Sequence, residues 1–254
     1  YMQKFPNGLF IAEVLNYKGE LLVKEKDWKA AAQLYDQLAS KGTSKYQEKA
    51  LRMAGKLYFF ELKDYASALK QFNQLSRLTT KSDALIESLR GEVRSYYHLK
   101  QWMQGRDASN ALISNAAANQ DDQSFAEIVL GYAAQTENKL DVSTASFNKV
   151  VVNNQSSLAA EARHQLAINA FKTGNVDAAE KAALASIENS GSYEFWITRS
   201  YILLGDIFLQ QKDFFNAKAT LKSVVENCSI PELKLEATEK LKAVEIAEKT
   251  GLNK

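Results

Sequence analysis

Asp213-Phe214-Phe215-Asn216-Ala217 is one of six short stretches in this chain built on a single plan. The others are Asp27-Trp28-Lys29-Ala30-Ala31, Asp64-Tyr65-Ala66-Ser67-Ala68, Gln101-Trp102-Met103-Gln104-Gly105, Asp141-Val142-Ser143-Thr144-Ala145 and Asn175-Val176-Asp177-Ala178-Ala179. Each opens on a polar residue suited to a turn and closes four residues later on alanine or glycine. Their starts lie 37, 37, 40, 34 and 38 residues apart. A unit of that length, repeated, is the signature of a helical solenoid. Such an array is a surface for other molecules.

The flanking residues make each unit a helix pair. Before Asp213, Tyr201, Leu204, Gly205 and Phe208 recur at three- and four-residue intervals; after it, Ala217, Leu221, Val224 and Val225 continue that period. Asp27, Asp64, Asp141, Asn175 and Asp213 suit the N-cap, where a side-chain oxygen accepts a bond from an otherwise unpaired backbone N–H. Gln101 caps poorly and predicts a looser turn. Gly19, Ala133, Ala167 and Gly205 stand twelve residues before the small position in four repeats. Small facing small predicts helices approaching to roughly 8–10 Å. Trp28, Tyr65, Trp102 and Phe214 are placed to close the end of a pair, and Tyr35 and Phe72 to wedge between helices.

The expected architecture is all-α, a single domain over residues 1–254 with six antiparallel pairs near 8–40, 44–78, 82–115, 121–153, 156–188 and 192–227. The first helices fall near 8–24, 44–61, 82–99, 121–138, 156–173 and 192–211. The second helices fall near 27–40, 64–78, 101–115, 141–153, 175–188 and 213–227. A capping helix runs from Pro231 to about residue 250, its outer face rich in lysine and glutamate. No such cap precedes the first pair. The chain therefore reads as the C-terminal piece of a longer array, and an uncovered apolar end predicts self-association.

Composition removes several function classes. Among 254 residues there are only two prolines, which favours helix throughout. The 32 basic and 30 acidic residues leave a net charge of +2, without the concentrated basic excess of a nucleic-acid binder. Cys228 is the only cysteine, so neither an intrachain disulfide nor a thiolate zinc site is expected. No apolar run is long enough to span a membrane. There is no phosphate loop, no metalloprotease motif and no nucleophile elbow, so no catalytic, cofactor or metal residues are assigned. His98 and His164 stand outside any motif, and Asp121-Asp122 reads as a helix start.

Tyr201-Ile202-Leu203-Leu204-Gly205-Asp206-Ile207-Phe208, followed by Ala217 and Leu221, resembles the tetratricopeptide repeat. Leu166-Ala167 with Ala170, Ala179 and Ala183 resembles it too, as does Gly19 with Leu22, Ala31 and Tyr35. In the second and third repeats the first-helix register is shifted by about one residue. Phe5-Pro6-Asn7-Gly8 resembles a repeat boundary in tetratricopeptide proteins of the Gram-negative envelope. The stretch from Tyr193-Glu194-Phe195-Trp196 through Arg199 to Leu221 is similar to C-terminal repeats of large Bacteroidetes proteins of this family. The resemblance implies a right-handed α-solenoid whose first helices line a concave face, a periplasmic or envelope setting, and a non-catalytic scaffold for a protein or peptide. Projected onto that face, Lys24, Arg52, Arg90, Arg94, His98, His164 and Arg199 form a mildly basic groove for an acidic or C-terminal segment. The same arginines can instead pair with Glu48, Glu87, Glu92 or Glu194. Two other functions fit the sequence: a structural or oligomerising segment of a longer array, and the docking part of an enzyme whose catalytic domain lies elsewhere.

Overall fold

The turns set the repeat. In the computed structural model, which describes residues 3–42 and 45–251, six residues with positive φ end six helices: Lys26, Lys63, Lys100, Asn138, Gly174 and Lys212, with φ from 53° to 78°. A left-handed residue there halts the helix and returns its backbone N–H groups to the last carbonyls. These residues are 37, 37, 38, 36 and 38 apart, a steadier period than the sequence motifs suggest.

Thirteen α-helices and one π-helical turn lie between and beyond these turns among the described residues. The first compact unit is Tyr1–Leu130 and the second is Gly131–Lys254, the division falling inside α7. The first holds α1 (Ile11–Lys24), α2 (Trp28–Ser40), α3 (Gln47–Lys56), the π turn (Leu57–Glu61), α4 (Tyr65–Leu78), α5 (Ser82–Leu99), α6 (Arg106–Ser114) and the start of α7 (Gln120–Thr136). The second continues with α8 (Leu140–Asn153), α9 (Ser157–Lys172), α10 (Val176–Asn189), α11 (Glu194–Gln210), α12 (Phe214–Asn227) and α13 (Pro231–Gly251). The chain is all-α, and consecutive helices pack on one another within each unit. The expected start of the second pair at residue 44 lies outside the described residues.

Four of the five expected caps form. Asp27, Asp64, Asn175 and Asp213 accept from the N–H of Ala30, Ser67, Ala178 and Asn216 at 3.0–3.1 Å. Asp141 does not: α8 starts two residues earlier, its N-cap is Lys139, and Asp141 lies in its first turn. Asn138 adopts the left-handed conformation with no glycine needed, and this fixes the turn ahead of Asp141. The frame of that repeat moves with it. Its buried small residue is Ser143, whereas Ala145 is exposed, and the first-helix residue twelve before it is Gly131, not Ala133. The Gln101 turn is loose as expected, α6 beginning only at Arg106.

The π turn explains the shifted register of the second repeat. The N–H groups of Asp27, Gln101, Lys139 and Asp213 return to carbonyls five residues back, on Leu22, Tyr96, Ala134 and Phe208. That of Asp64 returns six back, to Tyr58, so one extra residue is absorbed before the turn.

Helix contact is made differently from the expected small-on-small packing. Glycine on a first helix lies under a large side chain of a second. A Cβ on Gly19 would come within 2.7 Å of the Tyr35 ring, on Gly131 within 2.6 Å of Phe147, and on Gly205 within 2.6 Å of Leu221. Phe72 fills the space over both Gly55 and Gly91, the wedge foreseen for it. Ala167, Ala179 and Ala183 are small on both sides and share one buried cluster with Leu204 and Ile207.

Gly205→Ala should therefore destabilise the protein by roughly 1–3 kcal/mol through overpacking. Leu221→Ala alone should also destabilise, and the pair together should cost less than the sum. Urea unfolding of the three variants measures this; additive losses would show that Gly205 and Leu221 do not share space.

Candidate functional site

Within each unit, successive first helices are joined by polar side chains. In the first unit Lys49 pairs with Glu20, Arg52 with Asp83 and Glu87 at 3.1 and 3.0 Å, Lys56 with Glu87 at 2.9 Å, Arg90 with Asp122 at 2.7 Å, and Arg94 with Asp121 at 2.9 Å. In the second, the Tyr132 hydroxyl donates to Glu161 at 2.6 Å and the Gln135 amide to Asn169 at 2.7 Å. Arg199 pairs with Glu236 at 3.1 Å and Lys240 with Asp206 at 2.7 Å. These contacts hold Glu20 and Asp83 below the usual carboxylate range, through hydrogen bonds from Lys49 and Arg52, and raise Arg90 through its bond to Asp122.

Asp122 anchors the strongest of these contacts. It is 1% exposed, accepts from the N–H of Asn119 at 3.0 Å, and the Asn119 side chain accepts from the N–H of Asp122 at 2.8 Å. This reciprocal arrangement starts α7. Its carboxylate then takes the Arg90 guanidinium, with the Arg94 guanidinium 3.6 Å away. Arg94 also lies over the Phe125 ring, 4.7 Å from its centroid.

The seven residues projected onto the groove have different fates. Arg52, Arg90 and Arg94 come together on α3 and α5, each ion-paired, so the expected basic surface is a mixed-charge one. Lys24 is exposed at the end of α1. His98 stacks flat on Tyr65, ring centroids 4.1 Å apart and planes 7° apart, and burial with help from Lys63 lowers its pKa. Arg199 bridges to Glu236 on α13. His164 is not on a surface at all: it is 2% exposed, and its Nδ1 lies 3.0 Å from the Ser200 hydroxyl.

Around Arg90 and Arg94 the first unit contains a cleft of about 180 Å³, lined by Lys56, Phe59, Phe60, Phe72, Glu87, Arg90, Gly91 and Arg94. Phe72, Phe59 and the bare backbone of Gly91 make an apolar floor. Phe60, on the π turn, stands at its lip with its side chain open to solvent, the residue being 56% exposed. Lys56, Arg90 and Arg94 set three cations around that apolar space, with Glu87 between them. The aromatic members were missed by the charge-based projection; the run Tyr58-Phe59-Phe60 at a helix end was the available signal, because three adjacent aromatics cannot all face one core. Among the described residues no three His, Cys, Asp or Glu side chains group as a metal site, and no helix is long and apolar enough to cross a membrane.

No protein-family model matches the chain, and no curated protein matches it. Solved structures do. A tetratricopeptide repeat protein from Parabacteroides merdae is similar over 96% of this chain and 88% of its own, with 18% identity and a TM-score of 0.53. PilW, a type IV pilus biogenesis factor, is similar over 93% of this chain and 99% of its own, with 12% identity and a TM-score of 0.60. A thermophilic tetratricopeptide protein of Thermus thermophilus is similar over 76% of this chain and 98% of its own, with 15% identity and a TM-score of 0.51. At these identities the likeness establishes the fold: the chain has a tetratricopeptide-repeat fold.

Burial lowers the His164 pKa from 6.5 to about 3, the charge of Arg199 adding to the effect. Between those values the unfolded chain binds more protons than the folded one, so stability falls as pH drops from 6.5 toward 3. The slope from this residue is at most about 1.4 kcal/mol per pH unit. Urea midpoints of wild type and His164→Gln at pH 7 and pH 5 check this: the variant should lose less on acidification, and parallel losses would rule out His164 as the cause.

Proposed function

We propose that this chain, having a tetratricopeptide-repeat fold, is a non-catalytic protein–protein interaction scaffold that docks a peptide on its first-helix face, centred in the first unit on the Phe60 cleft. The observation that carries the proposal is the exposed Phe60 ring beside an apolar space of about 180 Å³ rimmed by Lys56, Arg90 and Arg94. A space of that size takes one large apolar side chain, and the cations favour a neighbouring carboxylate. Guanidinium and ammonium groups held in ion pairs orient a ligand; they are poor proton-transfer groups at neutral pH, which favours a scaffold over an enzyme. Lys24, Arg52 and His98 extend this face in the first unit, and Arg199 marks the corresponding face of the second. His164, enclosed, takes no part. An envelope setting belongs to the same proposal, supported by the resemblances at Phe5-Pro6-Asn7-Gly8 and Tyr193-Glu194-Phe195-Trp196; cell fractionation of the natural gene product tests it.

Arg90 is a poor residue to mutate, since its loss would leave the buried Asp122 carboxylate uncompensated. Lys56→Glu, Arg94→Gln and Phe60→Ser are better. Fluorescence anisotropy against labelled peptides carrying Leu, Met or Phe beside Asp or Glu should show binding that each variant weakens about tenfold or more. Equal binding by all the variants, or no binding by the wild type, would refute the cleft.

One observation favours a second reading, self-association. Phe10, at the N-cap of α1, and Tyr17 and Leu21 on it are 55%, 61% and 54% exposed. Counted from the left-handed turn, Tyr17 corresponds to Val129 and Leu203, and Leu21 to Ala133 and Ile207, all of them buried. Glu13 and Lys24 share this face at opposite ends of α1, so a second copy packed antiparallel would set unlike charges across the contact. Light scattering over a concentration series should show a dimer that Tyr17→Lys/Leu21→Lys abolishes; a monomer at every concentration would refute it.

A further inference from the structure

Twelve residues after each left-handed turn, the second helix places one side chain in the core. In five repeats this residue is Leu38, Leu75, Leu112, Val150 and Val224, each 6% exposed or less. In the fifth it is Ser186. Nine residues after the turn the same helix carries Ala183, where Tyr35, Phe72, Phe147 and Leu221 stand in others. Helix α10 thus lacks both of its large inward side chains. The Ser186 hydroxyl lies 2.9 Å from that of Ser200, which lies 3.0 Å from His164 Nδ1, so polar groups replace part of the missing apolar contact.

A hollow of about 420 Å³ opens beside this substitution in the second unit, lined by Val151, Arg163, Leu166, Ala182, Ala185, Ser186 and Asn189. Its size is that of a small-molecule site. Arg163 stands in its wall, half-buried, and has no ion pair or hydrogen bond among the described residues. The other polar wall residues are partly engaged: the Asn189 amide donates one N–H to the Ala185 carbonyl at 2.8 Å, and Ser186 faces Ser200. A guanidinium fork matches a planar carboxylate through two parallel bonds, and a monoanion with an alkyl chain suits one cation beside an apolar wall. Val151, Leu166, Ala182 and Ala185 offer only apolar surface to the rest of a ligand.

We propose that this pocket binds a short aliphatic carboxylate, the carboxylate on Arg163 and the alkyl chain over Ala182, Ala185 and Leu166. The site is separate from the Phe60 cleft and does not depend on the docking proposal. Isothermal titration with hexanoate, 1-hexanol, hexylamine and inorganic phosphate tests it. Hexanoate should bind, the alcohol and phosphate at least about tenfold more weakly, and the amine not at all. Arg163→Gln should weaken hexanoate by about the same factor. Ser186→Val should fill the base of the pocket and abolish binding. If that variant unfolds, Ala185→Leu fills it from the exposed rim with the core untouched. Absence of hexanoate binding, equal binding of hexanol, or full binding by Arg163→Gln or Ala185→Leu would each overturn the proposal.

Discussion

Two helices joined by a turn of three residues, as in five of the pairs, must nearly touch, and a touching pair has room for little more than one large side chain at the crossing. In most repeats of this chain the first helix yields: glycine leaves bare backbone at Gly19, Gly55, Gly131 and Gly205, and Tyr35, Phe72, Phe147 or Leu221 comes down on it. The large residue then sits at nearly zero exposure. Because the large side chain and the bare helix meet across each turn, the pairs are locked individually, and the array can be assembled from local contacts alone. Burying a tyrosine or phenylalanine in this way contributes a few kcal/mol per repeat. The capping aspartates add roughly one each.

Between pairs a different interaction sets the spacing. The rungs from Lys49–Glu20 to Lys240–Asp206 join neighbouring first helices within their units, and most are half-exposed. Exposed ion pairs of this kind are worth little stability, typically below about 1 kcal/mol. Their effect is on register, since the set of pairs from Arg52–Asp83 to Arg94–Asp121 is satisfied together in this alignment of the helices. They also offset part of the charge that the first helices would otherwise display. On a face of mixed charge, an apolar gap with an exposed aromatic ring is what distinguishes one stretch from the next.

The helical period and four of the five caps were legible because hydrophobic spacing and capping chemistry act over a few residues. Asp141 misled because it, too, stands four residues before an alanine; the turn was decided upstream, by the ability of Asn138 to adopt positive φ. The facing of glycine with tyrosine or leucine was not legible, since it depends on which rotation of one helix meets the other. Helical projection put Arg52, Arg90 and Arg94 on one face, and they lie together on α3 and α5, because the period of a helix carries charges along with it. His164 shows the limit of that projection: the same position along a helix is a rim residue in Arg90 and a core residue two repeats later, depending on what packs beside it. The pocket by Ser186 was invisible until the repeats could be aligned on their turns.

Most chains accommodate a length difference between repeats in a loop. Here the second repeat accommodates it inside a helix, as the π turn Leu57–Glu61. Counted from the carbonyl that receives the turn's N–H, Phe60 occupies the place held by Lys24, His98, Thr136 and Gln210 in its counterparts. The π turn takes up the additional residue locally, so the stretch before it meets the turn one residue out of step. An aromatic side chain is thereby delivered to a rank of the fold otherwise kept mainly for polar ones, with no change to the turn, the cap or the pair that follows. One residue taken up inside a helix is enough to give one member of a uniform array a surface of its own.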